Sequence, residues 1–247
     1  MESVSKVYFD EVRKALEKLE QTQAGNIRDA ARRMTDAVEK GQSLFSFGAS
    51  HSFMITQELV YRTGGLMLIN PIFPKGMSFD VRPLTATSQT ERIPGLGAEL
   101  LDASPAQAWD VLLITSTSGR NAVVIDMAFR AKERAMTVIG ITAVAYTQGV
   151  SSRHASGKKL VDACDIVIDN AAPYGDATVA LPGFPQKTGP LSSVTGCVIA
   201  NALTTEIVSE MLRRGMQPPV FLSANLDGGD TYNASQLEKY ASRIHYM

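Results

Sequence analysis

Apolar residues recur along this chain in two periods, and the switch between them outlines a fold. Residues 3–20 set Val4, Val7, Tyr8, Val12, Ala15, Leu16 and Leu19 at helical spacing. Gln21–Gly25 interrupts that pattern, and Asn26 is suited to cap a second helix. In that helix Ile27, Ala30, Ala31, Met34 and Val38 turn inward as far as the stop at Gly41. The N-terminal region therefore predicts a helical pair. Beyond it the pattern shortens to apolar runs of strand length: Ser43–Phe47, Leu66–Ile69, Val111–Ile114, Val138–Ile141 and Asp165–Ile168. Helical patterns lie between and after them: one through about Arg62 ended by Gly64-Gly65, one carrying Ala122, Ile125, Ala128 and Phe129, and one from Ser192 to Arg213. The tail holds a short extended piece, Val220–Leu222, and a terminal helix from about Asn233.

Asp110 to Thr142 reads as strand, helix and strand in about 33 residues, one right-handed crossover unit. Five buried strands with helices between them predict an α/β protein with a parallel sheet covered on both faces. In the common flavodoxin-like order 2-1-3-4-5, strands one and three are neighbours whose helices leave on opposite faces. Ligands bind at that switch point, beyond the carboxyl ends of the strands. The turns after those two strands are Gly48-Ala49-Ser50-His51-Ser52 and Ser116-Thr117-Ser118-Gly119-Arg120-Asn121, and they are expected to converge. Residues 71–110 form a long connection with five prolines and one short helix, Gly95–Leu101, and residues 170–191 form a second. Connections of this kind are often functional loops or lids.

Composition narrows the classes. The 247 residues suffice for a full core, and 45% hydrophobic with 20% charged content is ordinary for a globular chain. A formal net charge of −1 without a Lys/Arg-rich run argues against a nucleic-acid or anionic-membrane partner. The charged N-terminus lacks a signal-peptide core, and no run approaches the roughly 18 apolar residues of a membrane span. Cys164 and Cys197 show no disulfide or ligand spacing and are expected as buried free thiols in a reducing cytoplasm. His51, His154 and His245 are scattered, so neither a metal nor another cofactor is expected. His154, beside Arg153 in the polar loop 151–157, reads as solvated.

A helix N-terminus offers unpaired N–H groups and a partial positive charge. At the second turn Ser116, Thr117 and Ser118 add hydroxyls, Gly119 allows close backbone approach, and Asn121 adds an amide; Ser50 and Ser52 add hydroxyls from the first turn. This set suits a phosphate dianion without a dedicated lysine. The competing reading is that one hydroxyl merely caps the helix.

The pairing of strand-Ser-Thr-Ser-Gly-Arg-Asn-helix with an earlier strand-Gly-Ala-Ser-His-Ser-helix resembles the SIS (sugar isomerase) domain family. Its turns are closest to those of the phosphoheptose isomerase branch, and Ser-Gly-Arg is also similar to the N-acetylmuramic acid 6-phosphate etherases. The resemblance covers roughly residues 26–215. It implies a three-layer α/β sandwich and a homodimer or homotetramer with a shared site, in which Ser116, Thr117, Ser118 and Asn121 hold the phosphate of a sugar with help from Ser50. One SIS-type domain is expected over 1–247, divided into N-terminal helices (1–41), core (42–215) and tail (216–247).

Aldose–ketose isomerisation needs a base beside a carbonyl and a group that moves protons between oxygens. Glu58 lies about two turns into the helix after the first turn, near where these isomerases keep a glutamate. His51 opens that helix and suits ring opening. Glu91, with Arg92 in the long connection, is a third candidate, able to close over a sugar. The chain departs from the branch in one respect: Gly196–Arg213 contains no histidine, only Glu206 and Glu210. The expected activity is isomerisation of a sugar phosphate through an enediol(ate). Elimination at a phosphosugar, or non-catalytic sugar-phosphate sensing, are the alternatives.

Overall fold

The computed structural model describes residues 3–247. The chain opens with α1 (Val4–Glu39), β1 (Leu44–Gly48), α2 (Phe53–Leu59) and β2 (Ile69–Pro71). It continues with α3 (Thr85–Thr90), α4 (Leu96–Asp102), β3 (Val111–Thr115), α5 (Ala122–Glu133) and β4 (Thr137–Thr142). Then come α6 (Val144–Gln148), β5 (Ile166–Asp169), β6 (Ala177–Val179), β7 (Thr188–Pro190), α7 (Ser192–Arg213) and α8 (Gly229–Lys239).

Strands β1 to β5 form one parallel sheet in the order β2-β1-β3-β4-β5, as the apolar pattern predicts. Successive side chains on a strand point to opposite faces, and here both faces are dry. Leu44, Val111, Leu113, Ile139 and Ile141 join a cluster with Met34 of α1, Ile55 of α2 and Leu203 of α7. Their neighbours Phe45, Phe47, Leu112, Ile114 and Val138 join a second cluster with Leu101 of α4 and Val124 and Ala128 of α5. The result is the three-layer α/β sandwich. Its β1/β3 switch point lies between helices α2 and α5, which leave on opposite faces.

One expectation fails at the N-terminus: the helical pair is a single helix, α1, of 36 residues. The interruption at Gln21–Gly25 does not break it because its polar side chains are used in tertiary bonds. Gln23 is buried and its Oε1 accepts the Asp169 N–H at 3.0 Å; Asn26 Nδ2 donates to Val167 O at 3.1 Å and to Gln23 Oε1 at 3.0 Å. These bonds fasten mid-helix to β5, and Leu19 and Ile27 pack into the core on either side. A glycine within a helix costs about 1 kcal/mol against alanine, and those contacts outweigh it.

Other boundaries move for local reasons. The helix after β1 stops at Leu59 rather than Arg62, with Tyr61 in the left-handed region at φ 49°. Strand β2 starts at Ile69 rather than Leu66, because Leu66 bridges Val220 and the Met67 N–H donates to Pro219 O at 2.9 Å. The tail also returns to the sheet edge through Asn70, whose Oδ1 accepts the His245 N–H at 2.7 Å while Nδ2 donates to Arg243 O at 3.0 Å. The 71–110 connection holds two short helices rather than one, and residues 170–191 contain the antiparallel pair β6–β7. The terminal helix starts at Gly229, four residues before Asn233. Both cysteines are free and half-buried rather than fully buried, and burial pushes the Cys164 thiol up to about 12. Among the described residues no helix is long and apolar enough to cross a membrane.

Gly25 is exposed, and nothing stands within 4 Å of where its Cβ would be. Gly25→Ala is expected to raise the unfolding free energy by about 1 kcal/mol, read from the urea midpoint at unchanged slope. A lower midpoint would contradict the continuous helix.

Candidate functional site

Strands β1 and β3 end side by side, with Gly48 opposite Thr115. The turn after β1 is so tight that a Cβ on Gly48 would lie 2.4 Å from Ser52 O. Within it Ser50 takes a left-handed φ of 51°, and its N–H donates to Met77 O at 2.9 Å. The turn after β3 reverses at Gly119, where φ is 59° and a Cβ would stand 3.3 Å from the hydroxyls of both Thr142 and Thr147.

The second turn is defined by where its carbonyls go. Thr117 O accepts the Ala143 N–H at 3.0 Å and the Thr142 hydroxyl at 3.3 Å, and Ser118 O accepts the Thr147 hydroxyl at 3.1 Å. Gly119 O accepts the Leu160 N–H at 2.9 Å, and Arg120 O accepts the Arg153 N–H at 2.8 Å. In a planar trans peptide the next N–H points the opposite way, so the N–H groups that follow are aimed away from these partners. Gly119 N–H reaches Ser116 Oγ at 3.3 Å. Those of Ser118, Arg120 and Asn121 have no protein acceptor among the described residues.

Asn121 occupies the N-cap position of α5 and makes no capping bond with its side chain. Its Nδ2 donates to Glu91 Oε2 at 2.7 Å, and its Oδ1 accepts from Arg153 Nη1 at 3.0 Å. Glu91 Oε1 accepts the Ser50 hydroxyl at 2.6 Å. One carboxylate thus joins the two turns. The Glu91 backbone carbonyl accepts the Val123 N–H at 3.1 Å, so the long connection is docked on the start of α5. A second bond holds it there, from Gly95 N–H to Asp126 Oδ2 at 2.8 Å.

Three arginines belong to this neighbourhood. Arg153 has its pKa lowered, first by burial and then by the charges of Arg120 and Arg92, with Glu91 acting in the opposite sense. Arg120 Nη2 donates to Ser151 Oγ at 3.2 Å, while its Nε is buried without an acceptor among the described residues. The Thr115 hydroxyl at the foot of the turn is likewise buried and unpartnered there.

The candidate residues fall into separate groups. Ser50, Glu91 and Asn121 are joined by hydrogen bonds, with Ser116, Thr117, Ser118 and Gly119 in the turn beside them. Ser52 begins α2 without a side-chain capping bond. His51 is exposed and stands edge-on to the Phe79 ring, centroids 4.7 Å apart. Glu58 belongs to a different neighbourhood: it ion-pairs with Arg62 and accepts from Asn201 Nδ2 of α7 at 2.6 Å. The expectation that His154 is solvated is corrected. Its side chain is only 16% exposed, and its Nε2–H donates to Asp126 Oδ1 at 2.9 Å. Asp126 and Arg153 escaped the sequence reading because nothing local ties a mid-helix aspartate to a loop 28 residues away. Among the described residues no three His, Cys, Asp or Glu side chains cluster to hold a metal ion.

A family profile described as the SIS domain matches residues 7–143. The chain belongs to the SIS domain family. It is 45% identical over 218 residues to the UPF0309 protein of Shouchella clausii, which covers 88% of this chain and 89% of that one. With the UPF0309 protein of Oceanobacillus iheyensis it shares 43% over 242 residues, 98% of each chain. Solved structures that share its fold include two phosphoheptose isomerases. The phosphoheptose isomerase from Francisella tularensis matches with a TM-score of 0.55 and 21% identity, over 84% of this chain and 98% of that one. The phosphoheptose isomerase from Neisseria gonorrhoeae matches at 0.54 and 19%, over 83% and 97%.

In this SIS domain the two glycines give the turns their shape. Gly119→Ala is expected to lower stability by about 1–2 kcal/mol, the cost of a left-handed non-glycine residue. Gly48→Ala is expected to cost more, since its Cβ would meet backbone rather than a hydroxyl tip. Guanidinium unfolding of both variants checks the order.

Proposed function

We propose that this SIS protein is a phosphosugar isomerase that interconverts aldose and ketose sugar phosphates through an enediol(ate). The observation that carries the reading is the turn into α5, whose N-cap residue makes no side-chain capping bond. The N–H groups of Ser118, Arg120 and Asn121 have no protein acceptor among the described residues, and Asn121 is instead bonded into a cluster with Glu91 and Ser50. Unpaired helix N-terminal donors suit a phosphate dianion, and the Thr117 and Ser118 hydroxyls add to them. The named isomerases with the same fold support the choice of reaction.

The reaction removes a proton from the carbon beside the carbonyl and returns one to the neighbouring carbon, while the hydroxyl protons exchange between the two oxygens. A carboxylate can carry the carbon-bound proton. Glu91 is the group assigned to it. Its support is that Ser50 and Asn121 grip it from the two converging turns, whereas Glu58 is engaged by Arg62 and Asn201. Arg153, bonded to Asn121 Oδ1, orients that amide so that its NH₂ group points at Glu91. His51, next to Ser50 in the same turn, is the group assigned to ring opening.

Incubation with a panel of sugar phosphates in deuterium oxide is expected to put deuterium on the carbon beside the carbonyl of at least one, read by NMR. Glu91→Gln is expected to slow that exchange by about 100-fold or more while leaving phosphate binding intact or tighter, since a like charge is gone. Ser118→Ala is expected to weaken binding. Wild-type protein that binds sugar phosphates without any exchange would refute isomerisation.

A further inference from the structure

Loop 151–157 contributes nothing to the Ser-Thr-Ser-Gly turn by sequence, yet it is tethered to the same helix. Ser152 Oγ accepts the His154 N–H at 2.9 Å and donates to Lys158 O at 2.6 Å. His154 Nδ1 lies 2.6 Å from Ser156 Oγ, and the ring stands edge-on to Phe129 of α5 with centroids 5.8 Å apart. His154 Nε2–H donates to Asp126 Oδ1, and Nδ1 accepts the Ser156 N–H at 3.1 Å. Asp126 therefore holds two loops at once: 151–157 through His154 and the Glu91-bearing connection through Gly95.

This tether fixes Arg153. Its backbone N–H is bonded to Arg120 O and its Nη1 to Asn121 Oδ1, at 2.8 and 3.0 Å. The remaining guanidinium N–H groups have no protein acceptor among the described residues. Arg153 feels the like charges of Arg120 and Arg92 and the opposite charge of Glu91, and the buried Arg120 Nε has no acceptor among the described residues either. Like charges gathered this way repel unless an anion joins them. A planar guanidinium matches a phosphate with two parallel hydrogen bonds.

We infer that Arg153 is a phosphate-binding residue, clamping the anion against the Ser116–Asn121 turn, and that His154 and Asp126 are its positioning residues. The ligand class this selects is the doubly charged phosphate monoester, in preference to neutral sugars. The inference rests on the reading of that turn as the phosphate site.

The test is titration of the full chain with inorganic phosphate by calorimetry, in the wild type, in Ser118→Ala, Arg153→Ala, Arg153→Lys, His154→Ala and His154→Gln, and in the double variant His154→Ala/Arg153→Ala. Arg153→Ala is expected to weaken binding roughly tenfold or more, with partial recovery in Arg153→Lys and on addition of free guanidinium to Arg153→Ala. His154→Ala is expected to weaken binding in the wild-type background but not in Arg153→Ala, because it acts through that residue. His154→Gln, which keeps a donor for Asp126, is expected to retain most of the affinity. Wild-type affinity in Arg153→Ala, with binding lost in Ser118→Ala, overturns the clamp and leaves the turn as the phosphate site. Unchanged affinity in both variants, or no binding by the wild type at millimolar phosphate, overturns the two together. Additive losses in the His154/Arg153 double variant overturn the positioning role.

Discussion

Four consecutive carbonyls, from Thr117 to Arg120, are all bonded on one side, to residues between 142 and 160. Peptide planarity then sends the following N–H groups to the other side, and the left-handed Gly119 lets the chain make that reversal. A helix start is already short of acceptors for its first donors. Here Glu91 O meets the Val123 N–H, while the N–H groups of Ser118, Arg120 and Asn121 stay without a protein acceptor among the described residues, and the helix dipole adds a partial positive charge at the same point. The neighbouring segments are arranged around these unpaired donors.

These donors are affordable because the surroundings are rigid. Strands β1 and β3 are buried along their whole length, with side chains alternating into two separate cores. The long connection is docked rather than free. Glu91 lends its backbone carbonyl to Val123 and its carboxylate to Ser50 and Asn121, and Gly95 is tied to Asp126. Asp126 in turn holds His154, and through it the loop that carries Arg153. Hydrogen bonds to charged groups are worth more than neutral ones, so these few bonds hold segments 48–52, 91–95, 116–121 and 152–156 in register. Arg153 stands within electrostatic reach of Arg92, Arg120 and Glu91.

Several elements were legible from local pattern alone. The apolar runs specify five strands, and their spacing specifies parallel connections, because a short buried strand followed by a helix has few ways to bury both faces. Helix α7 matches its pattern from Ser192 to Arg213. The helical break at Gln21–Gly25 was misread for a physical reason. Gln23 and Asn26 look like loop residues until β5 supplies their partners, Asp169 and Val167. The early end of α2 and the late start of β2 have the same character, since the tail residues that capture Leu66 and Met67 lie about 150 positions away.

The division at the site follows that logic. Hydroxyl and glycine content identified the Ser116–Asn121 turn and the Gly48–Ser52 turn, because what a turn can donate depends on its own residues. Their meeting followed from strand order. Which carboxylate stands between them did not: the family resemblance favoured Glu58 as the base and left Glu91 as a residue able to close over a sugar, and only the folded connection brings Glu91 to Ser50 and Asn121 while α7 engages Glu58. The Asp126–His154 bond and the reach of Arg153 were equally invisible. Side-chain chemistry is written locally in the chain, whereas the partner of each charged group is decided by contacts between segments far apart in it.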